Sequence, residues 1–297
     1  MSEARLFDES FLRRLEGLAL IFRQTSLSQT QGERRSKRRG QSVEFSDFRP
    51  YTLGDDFRRI DWNAYARLER LFIKLFVEEQ DITLHLLLDN SKSMDWGSPN
   101  KLDFSKQAAA ALGYIALVSL DRVAVSTPGA PALGGSSEMS PLRGRQSAIR
   151  LFNFLQAITA DVHQPSIPRW LGAYAERHRI PGAMILISDL MSDEWFTGIN
   201  LLRKQSHELS ILHIMSPDEF APELAGDFRL IDSETQAQIE LTADFETLQR
   251  YREHLLAWQE HWRKFARERG ILYIPVLSST SLEELLFAWL PKQGLLR

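Results

Sequence analysis

The sequence predicts an α/β fold built on a doubly wound, mostly parallel sheet. Two observations carry this. Continuous apolar runs of strand length, Ile82–Leu88, Ala183–Ser188 and Leu209–Met215, match strands buried on both faces. Helical apolar patterns separate them, and alternating strands and helices imply right-handed crossovers on both sides of one sheet.

Each element follows in order. Phe11, Leu15, Leu18 and Phe22 recur at spacings of one helical face, so the first 24 residues read as a helix. Thr25 to Gly40 is polar and carries Arg34, Arg35, Lys37, Arg38 and Arg39. Ser42 to Glu79 mixes dense charge with aromatics, turns at Gly54 and ends in a β-prone run over Leu71–Val77. After the strand Ile82–Leu88 come an alanine-rich helix over Leu102–Leu120 and a short strand at Arg122–Ser126. Gly129 to Gly144 has the Gly, Ser and Pro content of a loop or short hairpin. Helices are expected at about Gln146–Ile158, Arg169–Arg179 and Glu194–Gln205, the last two flanking the strand Ala183–Ser188. The strand Leu209–Met215 precedes a hairpin over Phe220–Leu241. Phe245, Leu248, Leu255, Trp258, Trp262 and Phe265 then mark one face of a long helix. The strand Ile271–Val276 and a helix from Leu282 close the chain. The expected organisation is residues 1–80 as an N-terminal helix, basic loop and Arg/Asp-rich β segment, and residues 81–297 as the α/β domain.

Composition narrows function. With 297 residues, 43% hydrophobic and 25% charged, the chain can bury a sizeable core. A net charge of -3 gives no bulk attraction for nucleic acid or membrane surfaces. The absence of cysteine removes disulfides, thiolate metal sites and cysteine nucleophiles. The longest apolar run, Ala108–Leu120, is too short to span a bilayer, and the charged N-terminus does not resemble a secretion signal. The expected location is the cytoplasm.

In a doubly wound sheet, ligands bind beyond the carboxyl ends of the strands where strand order reverses. Two strands end in aspartate there, at Asp89 and Asp189. Asp89, Ser91 and Ser93 alternate along one segment, so their oxygens can face one way. One carboxylate and two hydroxyls form a hard donor set suited to Mg²⁺ or Mn²⁺ rather than zinc, with Asp189 as a second carboxylate. The alternative is that these residues only cap the next helix and close a turn.

The Asp-x-Ser-x-Ser run followed by Met94 resembles the metal-ion-dependent adhesion site of von Willebrand factor A domains. Arg49-Pro50-Tyr51, Gly54-Asp55-Asp56, Arg58-Arg59-Ile60-Asp61-Trp62-Asn63, Ala66-Arg67 and Leu75-Phe76-Val77-Glu78-Glu79 resemble domain-of-unknown-function family 58, which joins such a segment to an A-like domain. This resemblance implies a non-enzymatic interaction or adaptor module working with a MoxR-type AAA+ ATPase or its client. It implies the short soluble branch of the family, and the net charge gives no reason to expect a nucleic-acid partner. The adhesion site normally takes a threonine from a second loop. Here that stretch is Asp161 to Ile167, where Ser166 is the best available hydroxyl and Thr159 a poorer-placed one, with no glycine pair. Weak Mg²⁺ binding is expected, or none if the site is degenerate.

The remaining candidates divide between structure and chemistry. Arginines and aspartates over Arg49–Arg67 are suited to pairing with one another. The runner-up reading is a metal-dependent hydrolase or nucleic-acid-processing protein that uses either the same strand-end metal or the carboxylates of Asp55, Asp56 and Asp61, although neighbouring arginines would neutralise the latter. The run Arg34–Arg39 reads as a solvated loop, Tyr51 and Trp62 as core or network residues, and His85 as a core histidine. No Gly-x-Ser-x-Gly elbow, phosphate-binding loop or dinucleotide fingerprint is present.

Overall fold

The computed structural model describes residues 6–21, 43–52, 55–78, 82–128, 137–161, 166–179, 182–203, 208–232 and 237–297. Two compact units are present, one of residues 1–26 and 82–297 and one of residues 27–81.

The larger unit is a six-stranded sheet. Its strands are β3 (Thr83–Leu88), β4 (Arg122–Ser126), β5 (Glu138–Arg143), β6 (Ala183–Ser188), β7 (Glu208–Met215) and β10 (Leu272–Leu277). The order across the sheet is β10-β7-β6-β3-β4-β5. All neighbours are parallel except β4 and β5. Strands added after β3 extend the sheet one way and strands from β6 onward extend it the other. The reversal therefore falls between β3 and β6.

Side-chain alternation gives each face its own core. Leu84, Leu86 and Leu88 pack with α1 (Glu9–Leu15), α3 (Lys101–Val118), α4 (Ala148–Gln156) and the C-terminal helical segment 282–293. Leu87 points oppositely, into a core with α5 (Ile167–Arg177), α6 (Glu194–Arg203) and α8 (Phe245–Glu268). Helix α3 is buried along nearly its whole length, and its alanines admit the sheet closely. His85 is buried as expected, with Nδ1 2.7 Å from the Tyr174 hydroxyl. The Phe220–Leu241 hairpin is present as β8 (Gly226–Ile231) and β9 (Gln238–Ala243), preceded by a short helix, α7 (Pro217–Phe220). The alanine-rich helix starts one residue before its expected limit. The first helix is shorter than its pattern, because the chain leaves helical geometry after Leu15 and Leu20 bridges Leu296. Among the described residues, no helix is long and apolar enough to cross a membrane.

In the smaller unit, β1 (Val43–Pro50) pairs antiparallel with β2 (Phe72–Glu78). Asp61 caps α2 (Trp62–Leu68) by accepting from the Asn63 and Ala64 amides. Arg49 grips Asp55 bidentately at 2.6 and 2.8 Å, and Thr52 adds amide and hydroxyl bonds to the same carboxylate. Arg49 and Thr52 together hold the Asp55 carboxyl well below its ordinary range. Asp56 instead accepts from the Arg58 amide as a helix cap. Trp62 is exposed rather than in a core, meeting Tyr65 edge to face. The basic run 34–39 lies outside the described residues. Asp55→Ala should lower the melting temperature and hasten proteolysis within residues 43–78, and more so than Asp56→Ala. Equal curves for Asp55→Ala and the parent would contradict this architectural role.

Candidate metal-ion-dependent interaction site

Asp89 and Asp189 each follow the last residue of a central strand, so the sheet places both at the point of strand reversal. The Asp89 amide extends the β3–β6 ladder by donating to the Ile187 carbonyl at 2.9 Å. Its carboxylate then accepts from the Ser91 amide at 2.9 Å and the Ser188 hydroxyl at 2.6 Å. The first bond turns the chain so that the Ser91 and Ser93 hydroxyls lie 2.9 Å apart. A short 3₁₀ turn, Lys92–Met94, follows, and Met94 anchors it in the core.

The 159–161 segment reaches the same turn through its backbone. Asn90 donates to the Thr159 carbonyl at 2.8 Å, and the Asp161 amide donates to the Asn90 carbonyl at 2.8 Å. Ser166 is exposed at the N-terminus of α5, and the Ile167 amide beside it donates to Glu194. Among the described residues, the Ser166 hydroxyl makes none of the bonds at Asp89, Ser91 or Ser93.

Asp189 is held differently. One oxygen accepts from the Met191 amide at 3.1 Å and the other from the Lys101 ammonium at 2.9 Å. Lys101 is fully buried and also meets Glu219 at 2.5 Å. Burial alone would lower the Lys101 pKa, but Asp189 and Glu219 overcome it and raise the value. Glu219 is fixed by a capping box with Ser216 at the start of α7. Leu190, buried between these bonds, takes a left-handed φ of 57°, an uncommon conformation for a residue other than glycine.

Burial and the neighbouring Asp189 charge push the Asp89 carboxyl up to about 6. His213, on β7 opposite Ser188, is buried and bonded to the Tyr273 hydroxyl. Burial pushes its imidazole down to about 4. Met191, Ser192 and Asp193 line a groove of about 370 Å³ with Tyr251, His254, Leu255 and Trp258. The Tyr251 hydroxyl donates to the Glu219 carbonyl, linking groove and ion-pair cluster.

A family model, "Protein of unknown function DUF58", matches residues 47–261. The chain belongs to the DUF58 family. An uncharacterized Mycobacterium tuberculosis protein, Rv1480, and one of Mycobacterium bovis, Mb1516, are each 24% identical over 213 residues. The match covers 69% of this chain and 65% of theirs, so the chain spans about two thirds of those relatives' length. Similar solved structures include BatB from Bacteroides thetaiotaomicron, at 14% identity and a TM-score of 0.42, covering 72% of this chain and 98% of that one. Another is the manganese-loaded TRAP protein of Plasmodium vivax, at 19% identity and a TM-score of 0.32, covering 44% of this chain and 56% of that one. The six-stranded sheet of this DUF58 chain, with its one antiparallel edge, is the doubly wound, mostly parallel sheet that the sequence predicts.

The donor chemistry of the strand-end turn fits a hard divalent cation. Asp89, Ser91 and Ser93 converge, and the repulsion between Asp89 and Asp189 is of the kind a cation relieves. Among the described residues, no three His, Asp or Glu side chains are grouped to hold a metal, so a cation at this turn would have to draw on the hydroxyls as well as Asp89. Sequence reasoning missed Lys101, Glu219 and Ser188. Lys101 shares a face with Ser105, Ala108 and Leu112, and that spacing on an apolar helix was the available signal.

Proposed function

We propose that this DUF58 protein is an interaction module that engages an acidic group of a protein partner through a Mg²⁺- or Mn²⁺-dependent site at Asp89, Ser91 and Ser93. The supporting observation is the convergence of those three side chains beside Asp189 at the strand reversal. A bound divalent ion supplies a coordination position that a partner carboxylate can fill. The chain's own residues hold the ligands: Ser188 and the Ser91 amide orient Asp89, and the turn at Ser91–Met94 presents the hydroxyls. The groove of Met191, Tyr251 and Trp258 begins two residues after Asp189 and offers apolar surface for residues flanking that acid. The partner in this reading is a MoxR-type AAA+ ATPase or its client, met in the cytoplasm, and the module itself catalyses nothing.

A hydrolase built on the smaller unit is less well supported. Asp55 is committed to Arg49 and Thr52, while Asp56 and Asp61 accept from backbone amides as caps. Those bonds are architectural.

The test is capture of partners from native lysate with and without chelator, using the parent protein and an Asp89→Ala/Ser91→Ala variant. Recovery of the ATPase only with metal and intact residues is the expected result. Equal recovery under all four conditions would move the interface elsewhere, and recovery of nucleic acid instead would refute the reading.

A further inference from the structure

Lys101 has no counterpart in the simple picture of two carboxylates and two hydroxyls around a cation. Its ammonium already sits 2.9 Å from Asp189, and its side chain is wholly enclosed. An enclosed ammonium cannot swing into water to make way for another cation. Two positive charges served by one carboxylate in a buried setting repel strongly, because little solvent screens them. Glu219 draws the ammonium from the other side at 2.5 Å. The position of Lys101 is thus a balance between two acids, only one of which adjoins Asp89.

We propose that Lys101 is the affinity-setting residue of the site, a built-in counter-ion that pre-neutralises Asp189 and keeps divalent binding weak. This rests on the metal-dependent reading above and adds to it. Asp89, Ser91 and Ser93 then carry the divalent ion while Asp189 remains with its internal cation. Glu219 acts as the opposing anchor: the more firmly it holds Lys101, the more of Asp189's charge is left for the metal.

The variants make opposite predictions. Lys101→Met/Glu219→Gln deletes one positive and one negative charge, so the net charge of the cluster is unchanged while Asp189 is released. Glutamine at 219 can still complete the capping box with Ser216. Glu219→Gln alone keeps Lys101 and leaves it to Asp189. Calorimetric titration with MnCl₂ and MgCl₂, after circular dichroism has verified folding, should show binding at least tenfold tighter in the double variant and several-fold weaker in Glu219→Gln. Adding Asp89→Ala should abolish binding in both. Unchanged affinity in the double variant, with Asp89-dependent binding in the parent, would overturn the role of Lys101 and leave the metal site standing. Absence of binding at millimolar metal in every protein, the double variant included, would overturn both. Should the double variant not fold, Lys101→Gln/Glu219→Gln, which keeps the same charge balance with a polar side chain, takes its place: binding at least tenfold tighter than in the parent supports the proposal, and unchanged or weaker binding overturns it.

Discussion

Lys101→Met should be among the most destabilising single substitutions in the chain. The methionine keeps most of the aliphatic stem but removes the ammonium between Asp189 and Glu219. Asp189 is 1% exposed, so its carboxylate would be left buried with the Met191 amide as its remaining side-chain bond. Removing one member of a buried ion pair costs about 3–5 kcal/mol, because the surviving charge keeps its desolvation penalty without compensation. For a domain of this size that is a fall in melting temperature of roughly 10 °C. Adding Glu219→Gln should recover part of the loss by removing one of the two orphaned charges. A Lys101→Met variant melting with the parent would mean that the cluster is solvated, contrary to its burial.

Asp89→Asn should act in the opposite direction at neutral pH in the presence of chelator. The Asp89 carboxyl is raised from 3.8 to about 6 by burial and by Asp189. The folded state therefore binds this proton more tightly than the unfolded state does. Its stabilising contribution is complete below about pH 4 and is lost as pH rises through about 6. Asparagine removes the ionisation and keeps the bond to the Ser91 amide at the cost of the bond accepted from the Ser188 hydroxyl, and with the buried charge gone the variant should be more stable than the parent at pH 7. His213 supplies the contrasting slope. Its value is lowered from 6.5 to about 4, so its contribution is present above about 6.5 and lost as pH falls through about 4. In the parent the two slopes oppose one another between pH 4 and 6. In Asp89→Asn only the histidine slope remains, and urea denaturation at pH 4.5, 5.5 and 7 should show a steeper loss on acidification. A variant less stable than the parent at pH 7, or with the same slope, would contradict the raised Asp89. The cost that Asp89 imposes on the fold at neutral pH is what a cation at this site would offset.

The parts of the fold legible in the sequence are those whose burial is extreme. Strands β3, β6 and β7 are covered on both faces, so nearly every residue is apolar and the run stands out. Strand β5 is an antiparallel edge with Pro141 exposed within it, a place where sheets tolerate proline and charge, and only a loop or hairpin could be read there. Strand β1 mixes charge with aromatics and shows no continuous apolar run, whereas its partner β2 was legible from the β-prone run Leu71–Val77.

The candidate site divides the same way. Asp89 and Asp189 were legible as candidates because each directly follows a buried apolar strand, and Ser91 and Ser93 because they alternate with Asp89 along the segment after it. Lys101 was missed despite its helical spacing with Ser105, Ala108 and Leu112, because a lysine in the first turn of a helix normally reads as solvated. Glu219 lies 118 residues from its partner, a separation no local pattern can bridge. Ser166 offered the right chemistry, but the backbone of residues 159–161 makes the described contacts to the turn.

The most direct test is diffraction from crystals grown with millimolar MnCl₂, with data collected near the manganese absorption edge. The expected result is one anomalous difference peak within coordination distance of the Ser91 and Ser93 hydroxyls, beside Asp89, and its loss in Asp89→Ala/Ser91→Ala crystals. A map with no peak there, or with manganese bound elsewhere on the chain, would contradict the account.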